Sequence, residues 1–289
     1  MKSSERAAEG KNWNGVIKRL FYILIAVCML CIPAGWTGTV FAAENQELSG
    51  YVKIGKNHYY YDEDGNRVRN TWVTIDGVKH WFKGSGKEIR PNKYIAFTFD
   101  DGPTANTAKI LKILKEYGAT ATFFQVGYMV SGQKQVEKKI WKQGSEIGIH
   151  TWDHADLTKL SAGGIRSQAD RCAAVIRQYS GKAPKLMRPP YGACNGTVKA
   201  AAPCPLILWS ITDEGLYARS WEMTANAILR NPKNGDIALM HDLQAYSVQV
   251  CSYTIPRLIR QGFRIVSVSD LAKKRGRTLK KGSVYGSIK

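Results

Sequence analysis

The stretch "KYIAFTFDDGPTANTAKILKILKEYGATATFFQV", residues 93–126, decides how the longer part of this chain folds. Its flanks "YIAFTF" and "ATFFQV" are short apolar runs of the kind that form buried strands. Between them, Thr107 to Tyr117 carries Ile110, Leu111 and Leu114 on one face of a helix. Five further runs, "EIGI", "KLMR", "LILWSI", "DIALM" and "FRIVSV", continue the alternation. A second helix is expected from Ile165 to Tyr179, with Ala169, Cys172, Ala173 and Ile176 turned inward. Seven strand-helix alternations imply an α/β fold with a parallel sheet, and a distorted (β/α)7-type barrel closes such a sheet more naturally than an open array does. In a barrel of this kind the chemistry sits at the C-terminal ends of the strands.

Those ends are unusually rich in reactive side chains. The first strand ends in "TFDDGPT", where Gly102 and Pro103 break the strand at once and let Asp100 and Asp101 reach one pocket. The third ends at His150, and "HTWDH" places His154 four residues on, a spacing that a helical turn or a tight loop brings together. The fourth ends in "MRPPYG" from Met187 and the sixth in "ALMHD", with His241. Taken singly, Asp-Asp-Gly-Pro is an ordinary turn and the two histidines are polar loop residues. Taken together they are more, because all three of the chain's histidines beyond His58 and His80 fall at strand ends.

In order and spacing, "TFDDGPT", "HTWDH", "RPPYG" and "LMH" resemble four motifs of the polysaccharide deacetylase family, the NodB-homology or carbohydrate esterase family 4 enzymes. The resemblance covers residues 93–273. It implies a barrel enzyme that removes acetyl groups from glycans with a divalent metal, usually Zn2+, Co2+ being the other candidate. It assigns metal binding to Asp101, His150 and His154, and the base that takes a proton from the attacking water to Asp100. Arg188 then pairs with that base, His241 protonates the leaving amine, and the Tyr191 backbone N–H and Leu239 line the acetyl and oxyanion position. The family's remaining motif does not fit: "WSITDEGLYAR" from Trp209 has Gly215 and Leu216 where an acid and a tryptophan are expected. Asp213 or Glu214 is the candidate replacement acid.

The segment before the barrel differs in kind. Lys11, Lys18 and Arg19 precede the run "LFYILIAVCMLCIP", and Val40-Phe41-Ala42 offers a cleavage site. The run is shorter than the roughly 20 residues that span a bilayer, so residues 1–42 are expected to be an export signal, the alternative being a retained anchor. Residues 50–89 hold an internal repeat: Tyr51, Ile54, Tyr60, Tyr61 and Gly65 align with Trp72, Ile75, Trp81, Phe82 and Gly86. Alternating aromatic and polar residues closed by Gly-containing turns predict two hairpins. The pattern resembles cell-wall-binding, choline-binding-like repeats, which implies a wall polymer as partner.

The chain carries +19, of which residues 1–42 contribute +3 and leave +16. Such a charge favours an anionic surrounding. For an exported chain that surrounding is the cell wall, and no nucleic-acid partner is expected. The basic tail from residue 274 is expected to be mobile. Cys172, Cys194, Cys204 and Cys251 show no paired spacing, so no structural zinc site is expected and any disulfide pairing is left open. The leading expectation is a monomeric, exported deacetylase of an N-acetylated glycan, peptidoglycan first and chitin-like polymers next. The alternatives are an esterase of O-acetylated xylan and a wall-attached binding protein without turnover.

Overall fold

The structure is a computed structural model that describes residues 48–212 and 220–289. The expected export signal, and Asp213 and Glu214, lie outside the described residues. The repeat forms two antiparallel hairpins, β1 (Gly50–Ile54) with β2 (Asn57–Tyr61), and β3 (Thr71–Ile75) with β4 (Val78–Phe82). Their registers coincide, Tyr51 facing Tyr60 and Trp72 facing Trp81. The second hairpin docks on the barrel: the Trp72 ring meets Tyr117 edge-on at 5.4 Å, and the Arg260 guanidinium lies 4.1 Å over Trp81. Tyr117 and Arg260 stand at the C-terminal ends of the helices Ala105–Glu116 and Tyr246–Arg260. Because helices return against the strands, the hairpins sit at the end of the barrel opposite the strand C-termini.

The hub of the barrel is β5 (Lys93–Gly102), ten residues long. It pairs in parallel with β6 (Thr122–Gln125) along its second half, with β9 (Ile237–His241) through its middle, and with β10 (Phe263–Val266) along its first residues. Beyond β6 lies β7 (Glu146–Ile149). The expected strands "KLMR" and "LILWSI" shrink to a single bridge at Met187 and to the two-residue β8 (Leu206–Ile207), with one more bridge from Ile211 to Ala238. These short contacts close the circuit from β7 back to β9, which makes the barrel a distorted one. The crossover helices match expectation. Ala105–Glu116 starts at Thr104, whose side chain accepts from the helix backbone while Thr107 accepts from the Thr104 N–H, a capping box. Helix Ala162–Ser180 begins at the cap Ser161 and stops at Gly181, in the left-handed region.

Strand alternation sorts the side chains onto two faces. Phe97, Phe99, Phe123, Ile147, Met187 and Met240 point outward into the main core beneath the helices. Each fully buried Phe contributes about 2–3 kcal/mol of apolar burial. Ala96, Phe124, Leu186, Ile207 and Ile237 fill the barrel interior as a second cluster. By the same alternation Thr98, Asp100, Arg188, Leu239 and His241 stand above that plug, at the mouth.

The C-terminal segment corrects the expectation of a mobile tail. Residues Val284–Tyr285 form β11, which pairs with β8 in parallel, and the Ile288 N–H donates to Gly235 O at 2.7 Å. Ile288 is buried with the interior cluster. Lysine and arginine content marked this stretch as solvated, but its apolar residues Val284, Tyr285 and Ile288 cover an edge that the shortened β8 leaves open. The four cysteines among the described residues are free thiols, three of them buried. Among the described residues no helix is long and apolar enough to cross a membrane.

Candidate functional site

Every residue named at the strand ends, apart from those outside the described residues, comes to the mouth of the barrel. Asp100 and Asp101 end β5, and the sharp turn there sets Asp101 at φ 67°. Thr151, His154 and Tyr191 also have positive φ, at 66°, 63° and 62°. Only two other non-glycine residues of the described part, Asn70 and Asp76, do so. Left-handed backbone costs such residues about 1–2 kcal/mol each, and its concentration here marks a site held in shape by its surroundings.

Asp101 Oδ1 lies 3.4 Å from His150 Nε2 and 3.3 Å from His154 Nε2. His150 Nδ1 faces the Arg188 carbonyl oxygen at 2.8 Å, so it carries the hydrogen and donates it. In its neutral form the ring turns a lone pair at Nε2 toward the carboxylate, as a cation ligand must. Asp101 Oδ1, buried, has no protein hydrogen-bond partner. Lone pairs converging on an ionised oxygen in a buried pocket call for a positive charge between them. One ligand atom from each of Asp101, His150 and His154 lies within 4.8 Å of the others, and one carboxylate with two imidazoles is a donor set that suits a divalent cation.

The charges of the cluster also act on one another. Burial pushes Asp101 up, but its close contact with His150 and the charges of His150, His241 and His154 outweigh it and hold it below its ordinary value. Burial pushes His150 down, yet Asp100 and Asp101 prevail and favour the charged ring. His154 is pushed down by burial and by the charge of His150.

Asp100 is held from the other side. Arg188 is fully buried, and its Nη1 donates to Asp100 Oδ1 at 2.7 Å and to Thr98 Oγ1 at 2.8 Å. Its Nε and Nη2 donate to the carbonyls of Ile207 and Leu208, and its guanidinium lies 4.3 Å over the Phe124 ring. All the anchors come from the barrel wall, so Arg188 is a fixed strut. The second oxygen, Asp100 Oδ2, lies 3.8 Å from His150 Nε2.

His241 ends β9 directly opposite Asp100 in the register. Leu239, two residues earlier on the same face, is 8% exposed, which leaves little of it open to a ligand. Tyr191 is 63% exposed and its ring stands 4.8 Å edge-on to His154, forming a wall of the opening. Gly192 packs so closely that a Cβ there would come within 2.8 Å of the Trp209 ring.

Asp242 escaped the sequence reading. It is fully buried and straps β9 to the Asp-Asp-Gly-Pro turn. Its N–H donates to Asp100 O, its carbonyl accepts from Thr104 Oγ1 and Asn106 Nδ2, and its carboxylate accepts from Thr107 Oγ1. A side chain at Gly102 would collide with that carboxylate. Burial pushes Asp242 up to about 7, with Asp101 and Asp100 adding to the effect. The adjacency to His241 was visible in the sequence, but only the fold shows the turn that Asp242 reaches.

A parallel barrel with an Asp-His-His cluster that suits a divalent cation and a buried Arg-Asp pair at its mouth defines the class, and comparison defines the family. Residues 87–204 match the polysaccharide deacetylase family model. A bifunctional xylanase/deacetylase of Pseudobutyrivibrio xylanivorans is 36% identical over 209 residues, 71% of this chain and 34% of that protein. The peptidoglycan-N-acetylglucosamine deacetylase PgdA of Listeria monocytogenes is 34% identical over 242 residues, 82% of this chain and 51% of the relative. A peptidoglycan-N-acetylglucosamine deacetylase of Bacillus cereus is 35% identical over 193 residues, 63% of this chain and 89% of the relative. A family 4 acetyl xylan esterase from Clostridium thermocellum, solved with a cobalt ion, superposes with a TM-score of 0.64 at 28% identity, over 68% of this chain and 99% of that one. The chain belongs to the polysaccharide deacetylase family. It spans about a third and a half of the lengths of the first two relatives.

Proposed function

We propose that the protein hydrolyses acetyl groups from an N-acetylated cell-wall glycan, peptidoglycan N-acetylglucosamine above all, with a divalent cation, Zn2+ in the first place, held by Asp101, His150 and His154. The observation that carries the reading is the pairing at one mouth of that cation site with Asp100, whose Oδ1 is fixed by Arg188 while Oδ2 faces the site. When bound, the cation supplies a Lewis acid beside the acetyl carbonyl.

Asp100 acts as the general base: with Oδ1 tied to Arg188, Oδ2 takes the proton of the water that adds to the acetyl carbon. The Arg188 strut keeps that carboxylate aimed. The Tyr191 N–H, on backbone held at positive φ, supports the developing oxyanion. His241, across from Asp100, gives a proton to the glycan nitrogen as the C–N bond breaks, and acetate leaves. Tyr191 and His154 form the wall against which the sugar lies, and Leu239 bounds the acetyl pocket.

The peptidoglycan deacetylases among the relatives support N-acetyl chemistry on a wall glycan. The xylanase/deacetylase and the acetyl xylan esterase favour a second reading, O-acetyl removal from xylan. Product analysis separates them: acetate from N-acetylglucosamine oligomers supports the first, and acetate from acetylxylan alone overturns it. In this reading residues 1–42 export the protein, cleaved or kept as an anchor, and the monomer stays on the cell wall. The hairpins hold a wall polymer at the end of the barrel away from the mouth. Trp72 and Trp81 are committed to Tyr117 and Arg260, so the first hairpin, with Tyr51 42% exposed, is the one that offers an aromatic surface.

A further inference from the structure

The excess positive charge is not spread evenly over the barrel. Helix Ala105–Glu116 presents Lys109, Lys112 and Lys115, all exposed, at the three-residue spacing that keeps them on one side. The neighbouring helix Lys134–Lys142, which packs against it, presents Lys134, Lys138, Lys139 and Lys142, also exposed. The two helices hold two acids between them and neither opposes this charge. Glu116 pairs with Lys79 of β4 at 2.9 Å, and Glu137 is fully buried. Lys182, 5.1 Å over the Trp141 ring, extends the face on the far side of the second helix.

Seven exposed lysines on two neighbouring helices repel one another, and nothing in the barrel chemistry requires them, since they stand on its flank. Their type and spacing describe a ligand. All are lysine, a mobile point charge, with no arginine to fork onto a particular carboxylate. The row Lys134, Lys138, Lys142 repeats about every 6 Å along the helix axis, which suits a flexible chain with closely and regularly spaced anions. We propose that this face docks a polyanionic wall polymer with a phosphodiester backbone, a polyol phosphate, and so holds the enzyme beside the glycan strands it acts on. The proposal rests on the exported, wall-acting reading above, and charge complementarity is its warrant.

The test uses the full-length protein and purified cell walls, before and after hydrofluoric acid has removed the phosphodiester polymers, with soluble poly(glycerol phosphate) as competitor. One variant reverses Lys134, Lys138, Lys139 and Lys142 to Glu. A control reverses Lys199, Lys273, Lys280 and Lys281, which are exposed elsewhere, and so changes net charge equally. Wild type and control are expected to bind untreated walls and to lose at least about tenfold in affinity on stripped walls; the helix variant is expected to show that loss on untreated walls. Its affinity for poly(glycerol phosphate) is also expected to fall less steeply with salt. Equal binding to stripped walls, or equal loss by the control, overturns the proposal. So does tighter binding to duplex DNA than to poly(glycerol phosphate) at about 150 mM salt, which names nucleic acid as the partner. Acetate release from a soluble chitin oligomer should not change in the helix variant, so failure of the deacetylase reading shows in wild type, independently of binding.

Discussion

Arg188 and Asp100, 88 positions apart in the chain, form an ion pair at 2.7 Å in which both side chains are shut from solvent, with Thr98 the third member of the group. A buried pair of this kind serves geometry more than stability, but breaking it leaves one charge stranded. Arg188→Ala is expected to destabilise the fold by about 3–5 kcal/mol, seen as a large loss of melting temperature. Asp100→Asn keeps shape and hydrogen bonding but leaves the Arg188 charge unpaired, so it should fold with a lowered melting temperature and still bind the cation while acetate release falls by about 10²–10⁴-fold. Wild-type turnover by Asp100→Asn would remove Asp100 as the base.

Asp101, His150 and His154 each bring one ligand atom to within 4.8 Å of the others. A cation that binds only the folded state stabilises by mass action, by about 2.7 kcal/mol at one hundred times its dissociation constant. Adding Zn2+ to chelated protein is therefore expected to raise the melting temperature of wild type and leave Asp101→Ala unmoved. An equal rise in both would place the cation elsewhere.

Glu137 is fully buried on an otherwise basic helix, and burial, with the charge of Asp242, pushes it up to about 8 from an ordinary 4.5. The folded protein keeps a proton there that the unfolded chain releases above its ordinary value. This group therefore costs stability as pH rises from about 4.5 to about 8. Glu137→Gln removes the charge and keeps the shape. In chelator it should melt at least several degrees above wild type near pH 9 and close to it near pH 4.5, since each pKa unit is worth about 1.4 kcal/mol. Parallel melting profiles across that range would contradict the assignment.

The C-terminal strand predicts a truncation phenotype. Deleting residues 283–289 removes the partner of β8 and uncovers Ile237 and Ile207 beneath Ile288. Loss of the Ile288 contact alone is worth about 1.5–3 kcal/mol, and a chain of this size loses about 2–4 °C per kcal/mol. A drop of at least about 5 °C is expected, and an unchanged melting curve would return the segment to the status of a free tail.

The sequence made the long strands, the two crossover helices, the hairpins and most of the mouth legible. β5, β6, β7 and β9 announce themselves because a strand buried on both faces must be apolar throughout. "KLMR" and "LILWSI" misled because apolar runs record burial and not pairing: Arg188 is buried as a strut, and Trp209 turns to cover Gly192. The tail was misread because charge masked the apolar residues Val284, Tyr285 and Ile288. Asp242 and Thr98 were invisible as site residues, since a carboxylate or hydroxyl that acts on a turn from another strand leaves no local spacing to read. Asp213 and Glu214, the candidate replacement acids, remain the sequence's own suggestion.

The central claim is cation-dependent deacetylation at Asp100 and the Asp101-His150-His154 site, and acetate release tests it most directly. Purified peptidoglycan, chitin oligomers and acetylxylan would be incubated with the full chain before chelation, after chelation, and after Zn2+ or Co2+ is restored. The account predicts acetate from an N-acetylated glycan, lost on chelation and regained with the metal. No acetate from any of the three with metal present, or release that chelation leaves untouched, would contradict it.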